Sequence, residues 1–238
     1  MLNRAADPGC ALDALRGRPV NYDETQAPPH VTAGWNQDVQ EIVLGSEPPG
    51  DPVPGGLVET AGVLVNSYEF SDPRILRAAF RVDDDLLGRD LVLEGRFLLL
   101  RFLMGVRVTD RHDDVRDGPA GRERAIGWSY QTLAGHIEQG RLTYEVVKEL
   151  DTGLVRFRIV AYSRKAPIAN PLVDLGFRLF GRRTQLRFYA RALQRLKVLV
   201  TAPPEPPRPG PDGVVRAPSG AGPGRFEGLV VRFAHSGR

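Results

Sequence analysis

The sequence predicts an α+β fold in which a curved antiparallel sheet is covered by a short N-terminal helix and a long C-terminal helix. Three observations carry this expectation. Val155, Phe157, Ile159 and Ala161 alternate with Arg156, Arg158 and Val160, the period of two of a sheet with one covered face. Leu186, Tyr189, Leu193, Leu196 and Val200 recur at three- and four-residue steps, so they share one side of a helix. The strand signals come first and that helix last, which suits a helix packed on one side of an antiparallel sheet.

The elements read as follows. Gln40 to Leu44 is a short strand, and the Pro/Gly-rich run from Gly45 to Gly56 is a surface loop. Ala61 to Phe70 reads as a strand. Ser71-Asp72-Pro73 is a helix start signal, with Ile75, Leu76, Ala79 and Phe80 giving a short apolar helical face. Leu91 to Val108 makes two strands or one bent strand with Gly105 at the break. Asp110 to Gly121, acidic and rich in turn residues, reads as a loop, and Arg124 to Leu133 as the next strand. Ala134-Gly135-His136 turns the chain. Leu142 to Leu150 then pairs across Asp151-Thr152-Gly153 with the alternating run that follows, the strongest hairpin signal in the chain. Pro167 and Pro171 end the sheet before the last helix. The expected division is a flexible N-terminus over 1–11, one domain over 12–200 and a disordered Pro/Gly-rich tail over 201–238, whose apolar island Gly228 to Phe233 could dock on the domain.

Composition narrows the function classes. Of 238 residues, 42% are hydrophobic and 26% charged, enough for a core, while a net charge of +3 is too small for any global electrostatic attraction. Cys10 is the single cysteine, so neither an internal disulfide nor a cysteine-rich metal site is available. Met1 to Leu15 lacks a continuous apolar run, and the longest apolar stretch, Phe97 to Val106, is interrupted by Arg101 and falls well short of the ~20 residues of a membrane span. A soluble cytoplasmic protein is expected. The sequence has no Gly-x-Ser-x-Gly, His-Glu-x-x-His, Walker or Gly-x-Gly-x-x-Gly motif, and it implies no cofactor and no metal.

The densest group of chemically capable residues lies between Gly127 and Gly140. Trp128, Tyr130 and Thr132 share one face of a strand, and His136 and Glu138 share a face of the strand that follows. An imidazole beside a carboxylate can act as a general acid–base pair, with the imidazole's affinity for protons raised by the carboxylate. The same two residues can instead fix a tight β corner through backbone hydrogen bonds, with Gly135 and Gly140 supplying unusual dihedrals. On the last helix, Arg183, Arg187, Arg191 and Arg195 form a stripe at four-residue steps. Such a stripe is either a solvated face or a contact for anionic groups. No aromatic residues alternate with these arginines, so specific nucleic-acid binding is not expected.

Asn21-Tyr22, Tyr68-Glu69-Phe70-Ser71-Asp72-Pro73, the run from Tyr130 to Gly140, and Ala161-Tyr162-Ser163-Arg164 followed by the Gln185-containing helix resemble an uncharacterised family catalogued only as a domain of unknown function. Its hallmark reads approximately Tyr-Gly-Thr-Leu-Pro-Gly-His-x-Glu-x-Gly-Glu, followed downstream by Phe-Ser-Arg. The resemblance spans about residues 12–200, with departures at Gln131, Ala134 and Arg141. It implies no assigned activity. More distantly, the element order is similar to the helix-grip fold of START-like and polyketide-cyclase-like proteins, which implies a cavity for an apolar ligand between sheet and last helix.

Three functional expectations follow. The first is a binding module for a small apolar or lipid-like molecule beneath the last helix, contacted by Trp128, Tyr130, Thr132, His136, Glu138 and Tyr162. The second is a metal-independent isomerase, cyclase or hydrolase using His136 with Glu138 or Tyr130, which requires the imidazole to face a cavity. The third is an adaptor or peripheral membrane protein using Arg183, Arg187, Arg191 and Arg195.

Overall fold

An antiparallel sheet dominates the computed structural model, which describes residues 2–3, 7–23, 25, 34–97, 100–167, 181–220 and 229–231. Its strands are β1 (Leu2–Asn3), β2 (Asn36–Ser46), β3 (Leu76–Arg81), β4 (Asp90–Phe97), β5 (Leu100–Gly118), β6 (Gly121–Thr132), β7 (Glu138–Glu149), β8 (Leu154–Lys165), β9 (Val214–Ala217) and β10 (Leu229–Val231). The helices are α1 (Pro8–Asp13), α2 (Leu57–Asn66) and α3 (Arg182–Leu199). The curved sheet runs β2-β8-β7-β6-β5-β4-β3-β9, and β10 joins β5 in parallel and β1 antiparallel. The fold is α+β, as expected, and the predicted hairpin at Asp151-Thr152-Gly153 joins β7 to β8.

The two sheet faces differ sharply. Inward residues of β6, β7 and β8, among them Trp128, Tyr130, Tyr144, Phe157 and Ile159, form one core with Val58, Ala61, Leu64 and Val65 of α2 and with Phe188, Tyr189, Ala192, Leu193 and Leu196 of α3. The outer face carries ion pairs instead. Arg116 meets Glu123 and Glu145 at 3.0 and 2.8 Å, Arg158 meets Glu41 and Glu123 at 3.0 and 3.2 Å, and Arg156 meets Glu149 at 2.8 Å. A smaller second core lies where Leu12 of α1 and Leu15 cover Ala79, Val92, Leu133 and Val214.

Several expectations need correction. Residues 57–66 are a helix, so the shorter helix that covers the sheet beside α3 is α2 and not the one expected at Ile75 to Phe80. The Ala61–Phe70 strand expectation began too late in the chain: counted from Val58, the buried positions Val58, Ala61, Leu64, Val65 and Tyr68 fall at helical steps. The expected helix at Ile75 to Phe80 is β3. Its Ala78 and Phe80 face the main core while Ala79 faces the second one, so burial on both sides erases the alternation that marks a half-covered strand. The Asp110–Gly121 loop is the outer half of β5, held by cross-strand pairs such as Arg124–Asp113 at 2.8 Å and Arg116–Glu123. The break between β4 and β5 falls after Phe97, not at Gly105, which pairs with Val92 within the ladder.

The tail expectation is also corrected for its described part. β9 pairs with β3, Val214, Val215 and Ala217 are buried, and both the amide and the hydroxyl of Ser219 donate to Glu69 Oε1 at 2.8 and 2.7 Å. Proline density hid a four-residue strand whose apolar side chains complete both cores. At the other end, α1 crosses the expected boundary at residue 11, capped by Asp7, whose side chain accepts from the Gly9 and Cys10 amides. β10 falls within the Gly228–Phe233 island and lies on β5.

The Gly45–Gly56 loop is fastened from within. Lys148 Nζ, fully buried, donates to Glu47 Oε2 at 2.9 Å and to the Asp51 carbonyl at 2.8 Å. Glu47 also accepts from the Val53 and Val58 amides, so one carboxylate closes the loop and satisfies the start of α2. Burial works against its charge, but the two amides and Lys148 hold it below the usual carboxylate range. Replacing Lys148 by Met is expected to destabilise the protein by about 3–5 kcal/mol in urea unfolding, because it strands a buried carboxylate, and adding Glu47→Gln is expected to recover part of that loss. Truncation after residue 200 removes the burial of Val214 and Val215 and is expected to cost at least about 3 kcal/mol, whereas truncation after residue 220 keeps it; thermal unfolding of the two truncated chains separates the cases.

Candidate functional site

The Tyr130–Gly140 run forms a corner between β6 and β7, clamped by the N-terminal segment. Asn21 holds it from three sides: its amide donates to the Thr132 carbonyl at 3.1 Å, its side-chain nitrogen donates to the Glu138 carbonyl at 2.9 Å, and its side-chain oxygen accepts from the Thr132 hydroxyl at 2.6 Å. The Thr132 hydroxyl in turn accepts the Gly140 amide at 3.0 Å. Gly140 is required by close approach, since a Cβ there would stand 2.1 Å from the Tyr162 carbonyl oxygen. Thr132 is therefore a fastener of the corner.

His136 belongs to the turn, before the strand that begins at Glu138, so the expected shared strand face does not exist. Its ring Nδ1 accepts the Glu138 amide at 2.9 Å. Burial pushes the imidazole down to about 4, the opposite of the expected upward tuning, and the ring is neutral at physiological pH. This is the backbone-capped corner, and the imidazole is already committed to it.

Three of the expected residues do converge with others on the inner face. Glu138 Oε1 accepts from Gln185 Nε2 of α3 at 3.3 Å, and the same Gln185 nitrogen donates to Ser163 Oγ at 3.0 Å. Arg182 forks onto Asp38 at 2.6 and 2.5 Å beside them. Burial pushes the Glu138 carboxyl up to about 7, against the pull of Arg182. Deeper in, Trp128 and Tyr130 pack with Tyr144 at ring separations of 5.1 and 6.0 Å, and Phe70 stands 4.5 Å from Tyr144. Burial raises the hydroxyls of Tyr68, Tyr130, Tyr144 and Tyr189, so all four remain protonated donors.

Tyr68 enters this cluster at a conformational cost. It follows the end of α2 with φ of 62°, the one positive value outside glycine among the described residues. The Glu69 amide reaches the Leu64 carbonyl at 2.9 Å and the Tyr68 amide reaches Val65 at 3.2 Å, a helix stop that normally takes glycine. A side chain there costs roughly 1–2 kcal/mol. In return the ring lands 4.7 Å from Phe70 and the hydroxyl 3.3 Å from that of Tyr144. Two buried polar atoms of this interior, Trp128 Nε1 and Tyr189 Oη, have no hydrogen-bond partner.

The remaining expected residues lie elsewhere. Tyr162 is on the outer face, in edge contact with Tyr22 and Trp35 at 6.2 and 5.6 Å. Arg183, Arg187 and Arg191 are exposed, but Arg195 is half-buried and donates to the Glu69 carbonyl at 2.8 Å, tying α3 to the segment after α2. Tyr68, Tyr144, Ser163 and Asn21 were not singled out as site residues. The signal for Tyr144 was present, since it faces inward on a strand that pairs with Trp128, whereas the positive φ of Tyr68 has no sequence signature.

Because Glu138 takes up its proton more readily in the folded state than its ordinary value of 4.5, its contribution to stability is complete below that value and is lost as pH rises through about 7. Glu138→Gln is expected to gain about 2 kcal/mol on the native protein between pH 4.5 and pH 7.5, read from urea unfolding at the two pH values.

The crystal structure of Ara h 8.0201 aligns with 71% of this chain and 99% of its own, at 10% identity and a TM-score of 0.39, a likeness too slight to carry an argument. No curated protein matches. Among the described residues no helix is long and apolar enough to cross a membrane, and no cluster of His, Cys, Asp and Glu could hold a metal ion. The model of the family described as domain of unknown function, DUF1990, matches residues 20–195, from just before the Asn21 clamp to Arg195 of α3, and the chain belongs to that family.

Proposed function

We propose that this chain is a binding protein for a small molecule with an aromatic or apolar flank and one or two hydrogen-bonding groups, held between the inner face of β6 and β7 and the helices α2 and α3. The observation that carries this reading is the pair of buried polar atoms without partners, Trp128 Nε1 and Tyr189 Oη. Leaving such a group unmatched costs about 1–3 kcal/mol, and native interiors rarely tolerate it without a reason. A ligand acceptor that reached either atom would remove that cost. Glu138 and the protonated tyrosine hydroxyls offer further contacts, and the surrounding rings favour an apolar flank.

The aromatic cluster around Tyr144 fills the centre of the interior, which favours a small ligand over a lipid. With Nδ1 accepting the Glu138 amide, the neutral ring carries its proton on Nε2, so a proton-transfer enzyme built on His136 lacks a free basic nitrogen. The exposed arginines Arg183, Arg187 and Arg191 remain an anion-facing surface, without a second feature nearby that selects a partner.

Native mass spectrometry of the purified protein and thermal-shift titration with p-cresol and benzyl alcohol test the proposal. Bound small-molecule mass, or a concentration-dependent rise in Tm, is expected for the parent chain. Trp128→Phe and Tyr189→Phe are expected to keep or raise the Tm of the free protein while abolishing the ligand-dependent rise. A ligand-free spectrum, no Tm response, and a loss of about 2 kcal/mol or more in both variants would mean that these groups serve the fold alone.

A further inference from the structure

The outer face of the sheet holds a trough that its sequence pattern builds directly. Register places Ser129, Thr143 and Val160 side by side across β6, β7 and β8, a row of short side chains. The neighbouring row toward one end reads His112, Gly127, Glu145 and Arg158, and the row toward the other end includes Arg141 and Tyr162. Adjacent rows on one face stand ~7 Å apart along a strand, so a short row between two tall ones leaves a depression. Its volume is about 440 Å³, within the range of small-molecule sites.

The trough is shaped by a glycine. A Cβ on Gly127 would fall 3.0 Å from His112 Nε2 and 2.0 Å from the Tyr144 carbonyl oxygen. Without that Cβ the imidazole lies across β6, its Nε2 3.1 Å from Glu145 Oε1 but off the line of a hydrogen bond. The floor is polar and well buried: Ser129 Oγ and Thr143 Oγ1 are 2.8 Å apart, and Ser129 is fully inaccessible.

Most of the charges around the trough are already matched within the protein, Asp114 being the lining carboxylate without an ion pair among the described residues. Arg116 donates to both oxygens of Glu145 at 3.1 and 2.8 Å, and Arg141 Nη2 donates to Asp110 at 2.7 Å and to Ser129 Oγ at 3.1 Å. An anionic ligand would have to take Arg116 or Arg141 from its carboxylate, which is costly at Glu145, whose side chain is nearly inaccessible. A neutral hydroxyl does not compete in that way. It can donate to a lone pair left on Asp110 or Glu145 and accept from the remaining N–H groups of Arg141. The Tyr162 ring and the Val160 methyls add an apolar patch suited to the C–H face of a sugar ring.

We propose that this trough is a second binding site, separate from the interior one, for a neutral polyhydroxylated molecule of one or two sugar rings. Titration of the full chain with glucose, maltose and myo-inositol, followed by amide NMR shifts, tests it, with glutamate and glucose 6-phosphate as charged comparisons. Saturable shifts confined to the strands around Ser129, Thr143, Val160 and Tyr162 are expected for at least one neutral compound, and none for the charged ones. Val160→Trp fills the trough and is expected to weaken that binding at least tenfold. Thr143→Val, which removes one floor hydroxyl at nearly constant volume, is expected to weaken it several-fold and serves equally if the larger variant fails to fold. Trp128→Phe and Tyr189→Phe are expected to leave the shifts unchanged, which keeps the result independent of the interior site. Absence of saturable shifts on this face up to the solubility limit of all three neutral compounds, or a stronger response to the charged ones, would overturn the proposal.

Discussion

The register that joins β6, β7 and β8 is the constraint on which the rest of the molecule depends. It sets Trp128 opposite Tyr144 on the inner face and Gly127 opposite Glu145 on the outer one. Side chains alternate across a pleat, so slipping one strand by a single residue would exchange the faces. Arg156 and Arg158 would then point at α2 and α3, and Phe157 and Ile159 at water. Both penalties are large and of the same sign, which makes the register steep in energy without help from turns. The covering helices, the polar group near Glu138 and the trough beneath Tyr162 inherit their positions from it.

That register holds the site residues only because the ends of the sheet are closed by other segments. Asn21 clamps the β6–β7 corner by hydrogen bonds from a segment more than a hundred residues away in sequence. Arg195 donates to the Glu69 backbone carbonyl and Ser219 to its buried carboxylate, so this one residue joins the end of α2, the end of α3 and the segment after α3. Tyr68, immediately before Glu69, accepts a left-handed backbone to point its ring inward. A position that favours glycine but holds a tyrosine packed among Phe70, Trp128 and Tyr144 spends conformational energy on a side chain in a particular place. Its hydroxyl and the unpartnered Trp128 nitrogen then occupy the same interior, which is why the candidate ligand is placed there.

Legibility in the sequence followed the asymmetry of burial. β8 and α3 each have one covered and one open side, and their apolar periods announced them. β3 is buried on both sides and α2 begins directly after a Pro/Gly-rich run, so their periods were blurred and their types were exchanged. The outer half of β5 projects beyond the core, and its Asp and Arg residues pair across strands, leaving only the composition of a loop. β9 was masked by the prolines before it. Of the site, the corner from Tyr130 to Gly140 was visible as a unit, but the role of His136 was not, because whether a ring nitrogen meets a substrate or a backbone amide depends on the path of two following residues. Tyr162 was grouped with Trp128 although the odd-numbered residues of β8 are the ones that face inward. Its alternation with Ala161, plain in the sequence, already assigned it to the other face.

The outer lattice adds little to stability and much to definition. Glu123, Glu145 and Glu149 are nearly inaccessible, and the pairs they make with Arg116, Arg156 and Arg158 must offset the loss of hydration. Apolar residues of similar volume often do as well or better, and the lattice is not even fully matched, since Glu123 Oε2 and Arg156 Nη2 stand 3.6 Å apart without a hydrogen bond. What a charged lattice provides that an apolar face does not is a surface that neither aggregates nor accepts a wrong register. Although burial opposes ionisation, the His112 imidazole 3.1 Å away and the hydrogen bonds from Arg116 hold the Glu145 carboxyl down at about 2. The dipoles around the trough are therefore fixed before any ligand arrives. A fixed set of donors and acceptors, with most of its charges already neutralised in place, discriminates more by hydrogen-bond pattern than by net charge.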